Sequence, residues 1–256
     1  MHKANVPVLK NPIPPKKKGG RKVAVILFVL VLVLLCVLFF RSSLSKISEI
    51  TFEGNMYHSN EELLEIAGVQ MGDPYFGTSN GKIEGRLAEV PSIEAVTVDK
   101  SFPGKLHILV KEHPVVAYEF TDAGEVNGLL ANGTKVPQTN GSTLMDKPIL
   151  TGWDDKDPYL PKLCMKLANI PDALLLDISE IIPSPTVSYP DRIKMYTRSG
   201  FEVISSISVL QDKAEYMGMI MDSQDPGLLT LLEADTYVPF DAMEVENGDE
   251  NDTTHD

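Results

Sequence analysis

The most uniform stretch of the chain is Val23–Phe40, VAVILFVLVLVLLCVLFF, 18 residues without a charge, proline or glycine. As a helix rising about 1.5 Å per residue it covers roughly 27 Å, close to the hydrocarbon thickness of a bilayer. A cleaved signal has a shorter apolar region that ends in small residues, whereas this run stops at Arg41 with no A-x-A behind it. An uncleaved transmembrane helix at 23–40 is expected. Beyond it the pattern shortens. Ile47–Glu53 alternates, with Ile50 and Phe52 on one side and Glu49, Thr51 and Glu53 on the other, and Gly54-Asn55 ends it; this predicts a half-buried strand. Ser59 and Glu62 have capping-box spacing, and Leu63, Ile66 and Ala67 follow at helical intervals before Gly68. Ile83, Leu87 and Val90 mark a second helix, stopped by Pro91. Ile93–Lys100 and Leu106–Glu112 read as strands joined by the turn Phe102-Pro103-Gly104. The predicted order is β-α-α-β-β, its core built from Ile50, Phe52, Leu63, Ile66, Ile83, Leu87, Val96, Val98, Ile108 and Val110.

From Pro114 the texture changes to short strands punctuated by turn signals. Val115–Phe120 is followed by Gly124, Asn127-Gly128, Asn132-Gly133 and Asn140-Gly141, all hairpin or tight-turn signals. Helical stretches are expected near Asp157–Ala168 and Ser208–Asp222, with strands at Ile178–Ile182, Arg192–Thr197, Phe201–Ile204 and Gly227–Glu233. The overall expectation is an α+β chain: a single N-terminal transmembrane helix, a β-α-α-β-β domain at 41–114, and a mainly β domain at 115–240.

Charge orients this architecture. Residues 1–22 carry seven bases and no acid, which leaves −20 on residues 23–256. The basic segment, rich in Pro and polar residues, is expected to be a disordered cytoplasmic tail, and the positive-inside rule then places residues 41–256 outside the membrane. An acidic body excludes nucleic acid as a main partner, because phosphate backbones are bound by Lys and Arg. Residues 241–256 hold seven acids and no base and read as a solvated, disordered tail. The two cysteines, Cys36 in the span and Cys164 in the body, are kept apart by the membrane, so no disulfide framework is available. Cys164 reads as a small buried apolar residue.

Catalytic chemistry finds little support. Gly77-Thr78-Ser79-Asn80-Gly81 fits the G-x-S-x-G pattern, but a nucleophile elbow needs a buried strand before the serine, and Met71–Tyr75 is turn-like. A loop entering a helix, capped by Ser79 or Asn80, accounts for the same residues. His107 and His113 fall on the exposed parity of a strand, His58 in a turn, and no HExxH or CxxC is present, so neither a metal nor a cofactor is expected. The sequons at Asn132, Asn140 and Asn251 are short enough to arise by chance.

The anchor, the run Ile47-x-x-Ile50-x-Phe52-x-Gly54-Asn55, and a β-α-α-β-β unit ending in Val110-Lys111-Glu112-His113-Pro114 together resemble a POTRA domain of the cell-division type. Pro148-Ile149-Leu150-Thr151-Gly152 and Thr236-Tyr237-Val238-Pro239-Phe240 are similar to the β domain that follows it in the FtsQ/DivIB family. That resemblance implies a non-enzymatic scaffold at the division septum, binding FtsL and DivIC (FtsB-like) outside the membrane. A membrane-tethered cell-envelope hydrolase using Ser79 is the alternative. The resemblance also implies a partner-binding site at the C-terminal strand. Because Gly227–Glu233 is the last apolar run before the polar tail, it is expected at a sheet edge, open to strand addition. Leu228, Leu229, Thr230, Leu231 and Leu232 would then pair with the partner backbone, with Tyr237 and Phe240 either as side-chain anchors or as seals of the domain's own core.

Overall fold

The computed structural model of the chain describes residues 20–121, 123–138, 146–154 and 156–242. The basic tail before Gly20, the Asn140-Gly141 turn and most of the acidic tail lie outside the described residues. Helix α1 (Gly20–Arg41) contains the whole apolar run, and none of its residues is buried by the protein. Its length of 22 residues, with a mean hydropathy of 3.6 over its 18-residue apolar stretch, is that of a membrane span.

The first domain follows the predicted order. It comprises β1 (Glu49–Glu53), α2 (Asn60–Ala67), α3 (Asn80–Leu87), β2 (Ile93–Ser101) and β3 (Lys105–Glu112). The capping box forms, with the Glu62 amide donating to Ser59 Oγ at 3.2 Å and the Ser59 amide to Glu62 Oε2 at 3.0 Å. Gly68 closes α2 in the left-handed conformation at φ 60°. The sheet order is β1-β3-β2, β3 running parallel to β1 and antiparallel to β2. Alternation sends Leu106, Ile108 and Val110 of β3 to the face that packs on Leu63, Ala67, Ile83 and Leu87, all buried. Ile50, Phe52, Ile66 and Val96 border this core half-buried. The opposite face is polar, with His107 between Thr51 Oγ1 (2.9 Å) and Glu53 (3.3 Å).

Ser79 is the first residue of α3's N-terminal cap, but its hydroxyl makes no capping bond. The Asn80 side chain donates to the carbonyl of Val98 (2.7 Å) instead, and Glu84 accepts the Val98 amide (3.0 Å), so α3 is pinned to β2.

The second domain is one nine-stranded sheet, more helical than its turn-rich sequence suggests. Its elements are β4 (Val115–Phe120), β5 (Val126–Leu130), β6 (Lys135–Pro137), β7 (Ile149–Leu150), α4 (Leu160–Leu167), α5 (Asp172–Asp177), β8 (Ile178–Pro183), β9 (Arg192–Thr197), β10 (Glu202–Ser206), α6 (Leu210–Ser223), β11 (Gly227–Leu231) and β12 (Asp235–Pro239). The strand order is β12-β11-β10-β9-β8-β7-β4-β5-β6. Buried residues of α4, α5 and α6, including Leu163, Leu167, Leu175, Leu210 and Met217, share one core with Ile181, Ile193, Met195, Val203 and Leu229 of the strands. Strict alternation leaves Arg192, Lys194 and Tyr196 half-exposed on the other parity. Asn127-Gly128, expected as a turn, lies inside β5. A Cβ at Gly128 would come within 2.6 Å of the Gln138 side chain and 3.1 Å of Val115, so the glycine serves close packing. The true turns are at Gly124 (φ 80°) and Gly133 (φ 85°).

Only His113 and Pro114 separate β3 from β4. Across this junction the Ala131 amide donates to the Pro114 carbonyl at 2.9 Å, and Asn132 Nδ2 to the Pro91 carbonyl at 2.7 Å.

Candidate functional site

The end of the second sheet carries the residues singled out for partner binding, in a different arrangement from the one expected. Gly227–Leu231 is not an edge. It pairs in parallel with β10 on one side and antiparallel with β12 on the other. The chain does continue pairing after Leu231: residues 232–234 turn it back, so that Leu229 faces Tyr237, Leu228 faces Val238 and Thr230 faces Thr236. Both backbone flanks of Leu228, Leu229, Thr230 and Leu231 are therefore occupied, and Leu232 lies just beyond the strand. Among the described residues, the open edge at this end is β12.

Close approach fixes this hairpin. A Cβ at Gly227 would fall 2.4 Å from the Val238 carbonyl oxygen and 2.8 Å from Pro239 Cα, so only glycine admits β12 at that spacing. The Phe240 amide donates to the Pro226 carbonyl at 3.2 Å. In an antiparallel ladder, residues of the same parity bond to the same neighbour. Thr236 and Val238 thus turn inward to β11, and the amides of Asp235 and Tyr237 face the unpaired side.

Tyr237 shares the buried parity of Leu229. Its ring lies 6.4 Å from that of Phe201, and its hydroxyl donates to the Asp225 carbonyl at 2.6 Å. Partial burial first, and then the charges of Asp225 and Asp241, push its phenol above the usual range. Phe240 is half-buried past the strand end. Val238, on the opposite parity, is 37% exposed and was not singled out from the sequence. The signal for it is the β-favouring run Thr236-Tyr237-Val238, masked by the flanking Asp235 and Pro239.

The two ends of the sheet differ. Strand β6 has three residues, begins at Lys135 and ends at Pro137, features that discourage further pairing. Strand β12 also ends in a proline, Pro239, but it is longer, with five residues in unbroken register, and has no lysine. Lys213 on α6 holds Asp235 at 2.6 Å.

Ser79 does not sit in an elbow. The segment before it is a turn, folded by Gly77 and Thr78 amides donating to the Pro74 carbonyl (3.1 and 3.0 Å), rather than a strand. The strand-turn-helix context that exposes a nucleophilic serine is missing. Among the described residues no group of three His, Cys, Asp or Glu side chains is placed to hold a metal. Burial pushes the Cys164 thiol up to about 12.

Residues 45–113 match the family model described as POTRA domain, FtsQ-type. Over 254 residues the chain is 50% identical to the cell division protein DivIB of Paenibacillus polymyxa (strain E681), covering 99% of this chain and 100% of that one. This chain belongs to the DivIB family. DivIB of Geobacillus kaustophilus (strain HTA426) is 30% identical over 259 residues, 98% of each chain. Among solved structures, the major extracytoplasmic domain of the trans isomer of DivIB from Geobacillus stearothermophilus is 32% identical, with a TM-score of 0.38, and covers 43% of this chain and 92% of that one. DivIB membership, the FtsQ-type POTRA domain and the one apolar helix together describe a single-pass membrane protein of cell division.

Proposed function

We propose that the chain is a non-enzymatic scaffold of the bacterial division machinery, anchored with its N-terminus in the cytoplasm and both folded domains outside. It gathers at the septum, where it binds and stabilises FtsL and DivIC (FtsB-like) through the C-terminal end of its β domain. The observation that carries this reading is the open edge of β12 in a sheet whose other end is blunted. An edge of this kind takes an added strand, main-chain bonds giving affinity and neighbouring side chains selecting the sequence. Tyr237 lies on that edge strand and Phe240 just past its end, and their contribution to binding is part of the proposal, with Val238 added as the exposed apolar side chain on the strand's other face. Family resemblance points to the C-terminal strand, which the sequence put at Leu228–Leu232; the proposal moves it one strand on, to β12.

Full-length protein in nanodiscs, mixed with extracytoplasmic fragments of FtsL and DivIC, tests this directly. Retention of DivIC by the native chain and by Ser79→Ala, with loss on Gly227→Ala, is expected. Retention unaffected by Gly227→Ala would place the site elsewhere, and loss of division in cells carrying Ser79→Ala would favour the hydrolase.

A further inference from the structure

The end of the membrane span runs directly into the POTRA domain. Ser45 is buried, and its hydroxyl donates to the carbonyls of Phe40 (2.7 Å) and Ser42 (3.0 Å). Its own carbonyl accepts the Tyr75 amide at 2.9 Å, and the Ile47 amide donates to the Asp73 carbonyl at 2.8 Å. The connection is thus a 3₁₀ turn at Ser43–Ser45 stitched to the loop before α3, not a free linker. This brings two apolar rings of the domain to the level of the last turn of α1. Phe76 lies 6.0 Å from Phe39 and 6.2 Å from Phe40, and Phe102 lies 6.3 Å from Phe76. Tyr75 joins both at 5.1 and 6.2 Å.

Phe76 and Phe102 are each 57% exposed and continue the ring cluster of Phe39 and Phe40 as one apolar patch. Their backbones are held firmly. Lys100 Nζ donates to the carbonyls of Tyr75 and Thr78 and stands 5.4 Å over the Tyr75 ring. The Ser48 amide donates to the Gly104 carbonyl at 2.8 Å, which fixes the turn behind Phe102. Rings fixed outward beside a lipid-facing helix have an apolar medium available at that same depth. Between Phe40 and Glu49 the chain has no acid, and the exposed Arg41 and Lys46 that follow the span suit lipid phosphates.

We propose that Phe76 and Phe102 insert into the leaflet at the C-terminal end of α1, seating the POTRA domain on the bilayer so that the span and domain move as one body. This surface is continuous with the span, and the bilayer is its occupant. It rests on the single-pass reading and not on any partner.

Depth-dependent quenching in nanodiscs of phosphatidylcholine and phosphatidylglycerol tests it. Trp153, in the β domain, is the single tryptophan of the chain and supplies the baseline. Phe76→Trp and Phe102→Trp, made singly in the full chain, should add emission that shallow-brominated lipid quenches more strongly than deep-brominated lipid. Phe120→Trp, at an exposed position of β4, should add emission that neither lipid quenches. Phe28→Trp, near the middle of α1, should be quenched best by the deep bromines. Quenching of Phe28→Trp with none at positions 76 and 102 would overturn the seat while leaving the span intact. Absence of quenching at all three would overturn the span on which the seat depends.

Discussion

Cys164 shows how little of a residue's role depends on its chemistry once it is buried. It has no exposed surface, and desolvation of the thiolate moves its thiol from 9.0 to about 12. Because the folded value is the raised one, the associated stability is complete below pH 9.0 and is lost as pH climbs toward 12. With Cys36 replaced by Ser, a thiol reagent at neutral pH should leave the native protein unlabelled and label one thiol after denaturation. Labelling of the native protein at the denatured rate would contradict this burial. Leu87 is equally enclosed, at 0% exposure among Leu63, Ile83 and Ile108. Leu87→Ala should cost about 2 to 5 kcal/mol, read as a fall in melting temperature. Both roles are legible in sequence, since each side chain stands on the apolar stripe of a short helix. Tyr237 is not legible in that way. Its hydroxyl bond to the Asp225 carbonyl and its contact with Phe201 come from a hairpin that its neighbours do not announce. On Tyr237→Ala, weakened DivIC binding by about thirty-fold, with the melting temperature kept, would mark it as an anchor. A large loss of melting temperature would assign it to the core.

At the scale of elements, the β-α-α-β-β unit was readable because each piece has its own punctuation. Ser59 and Glu62 start α2, Gly68 stops it, and Pro91 follows α3. Strand β12 lacks such marks. Residues 232–234 contain no Asn-Gly or Asp-Gly pair, and Asp235 and Pro239 dilute its apolar pattern, as befits an edge strand that is only half enclosed. That is why β11 reads as the last strand in sequence. Asn127-Gly128 erred in the other direction, a turn dipeptide whose glycine is needed to let Gln138 and Val115 close over it. The β11-β12 contact itself can be tested at Gly227. Gly227→Ala places a methyl group against backbone atoms, so relief requires the strands to part. A loss of about 1 to 3 kcal/mol in stability is expected, the usual range for overpacking. A fully stable Gly227→Ala protein would mean that β12 is not held at this distance.

For the molecule as a whole, the charge asymmetry and the single span already implied an anchored protein, and the fold adds how its parts are joined. The 3₁₀ turn after the span and the two-residue passage from β3 to β4 leave little slack between membrane, POTRA domain and β domain. The proposed orientation, one crossing with the C-terminus outside, predicts that protease added to intact, wall-stripped cells removes the body, and a protected C-terminus would contradict it. Under the proposed function, the working end of such a molecule is the sheet edge at β12. Residue-resolved hydrogen exchange of the full chain, with and without the extracytoplasmic segment of DivIC, measures strand addition there most directly. The amides of Thr236 and Val238, bonded to β11, should be protected in both states, whereas those of Asp235 and Tyr237 should exchange freely alone and slow by at least about ten-fold in the complex. A complex that forms while Asp235 and Tyr237 keep their free exchange rates would contradict strand addition at β12.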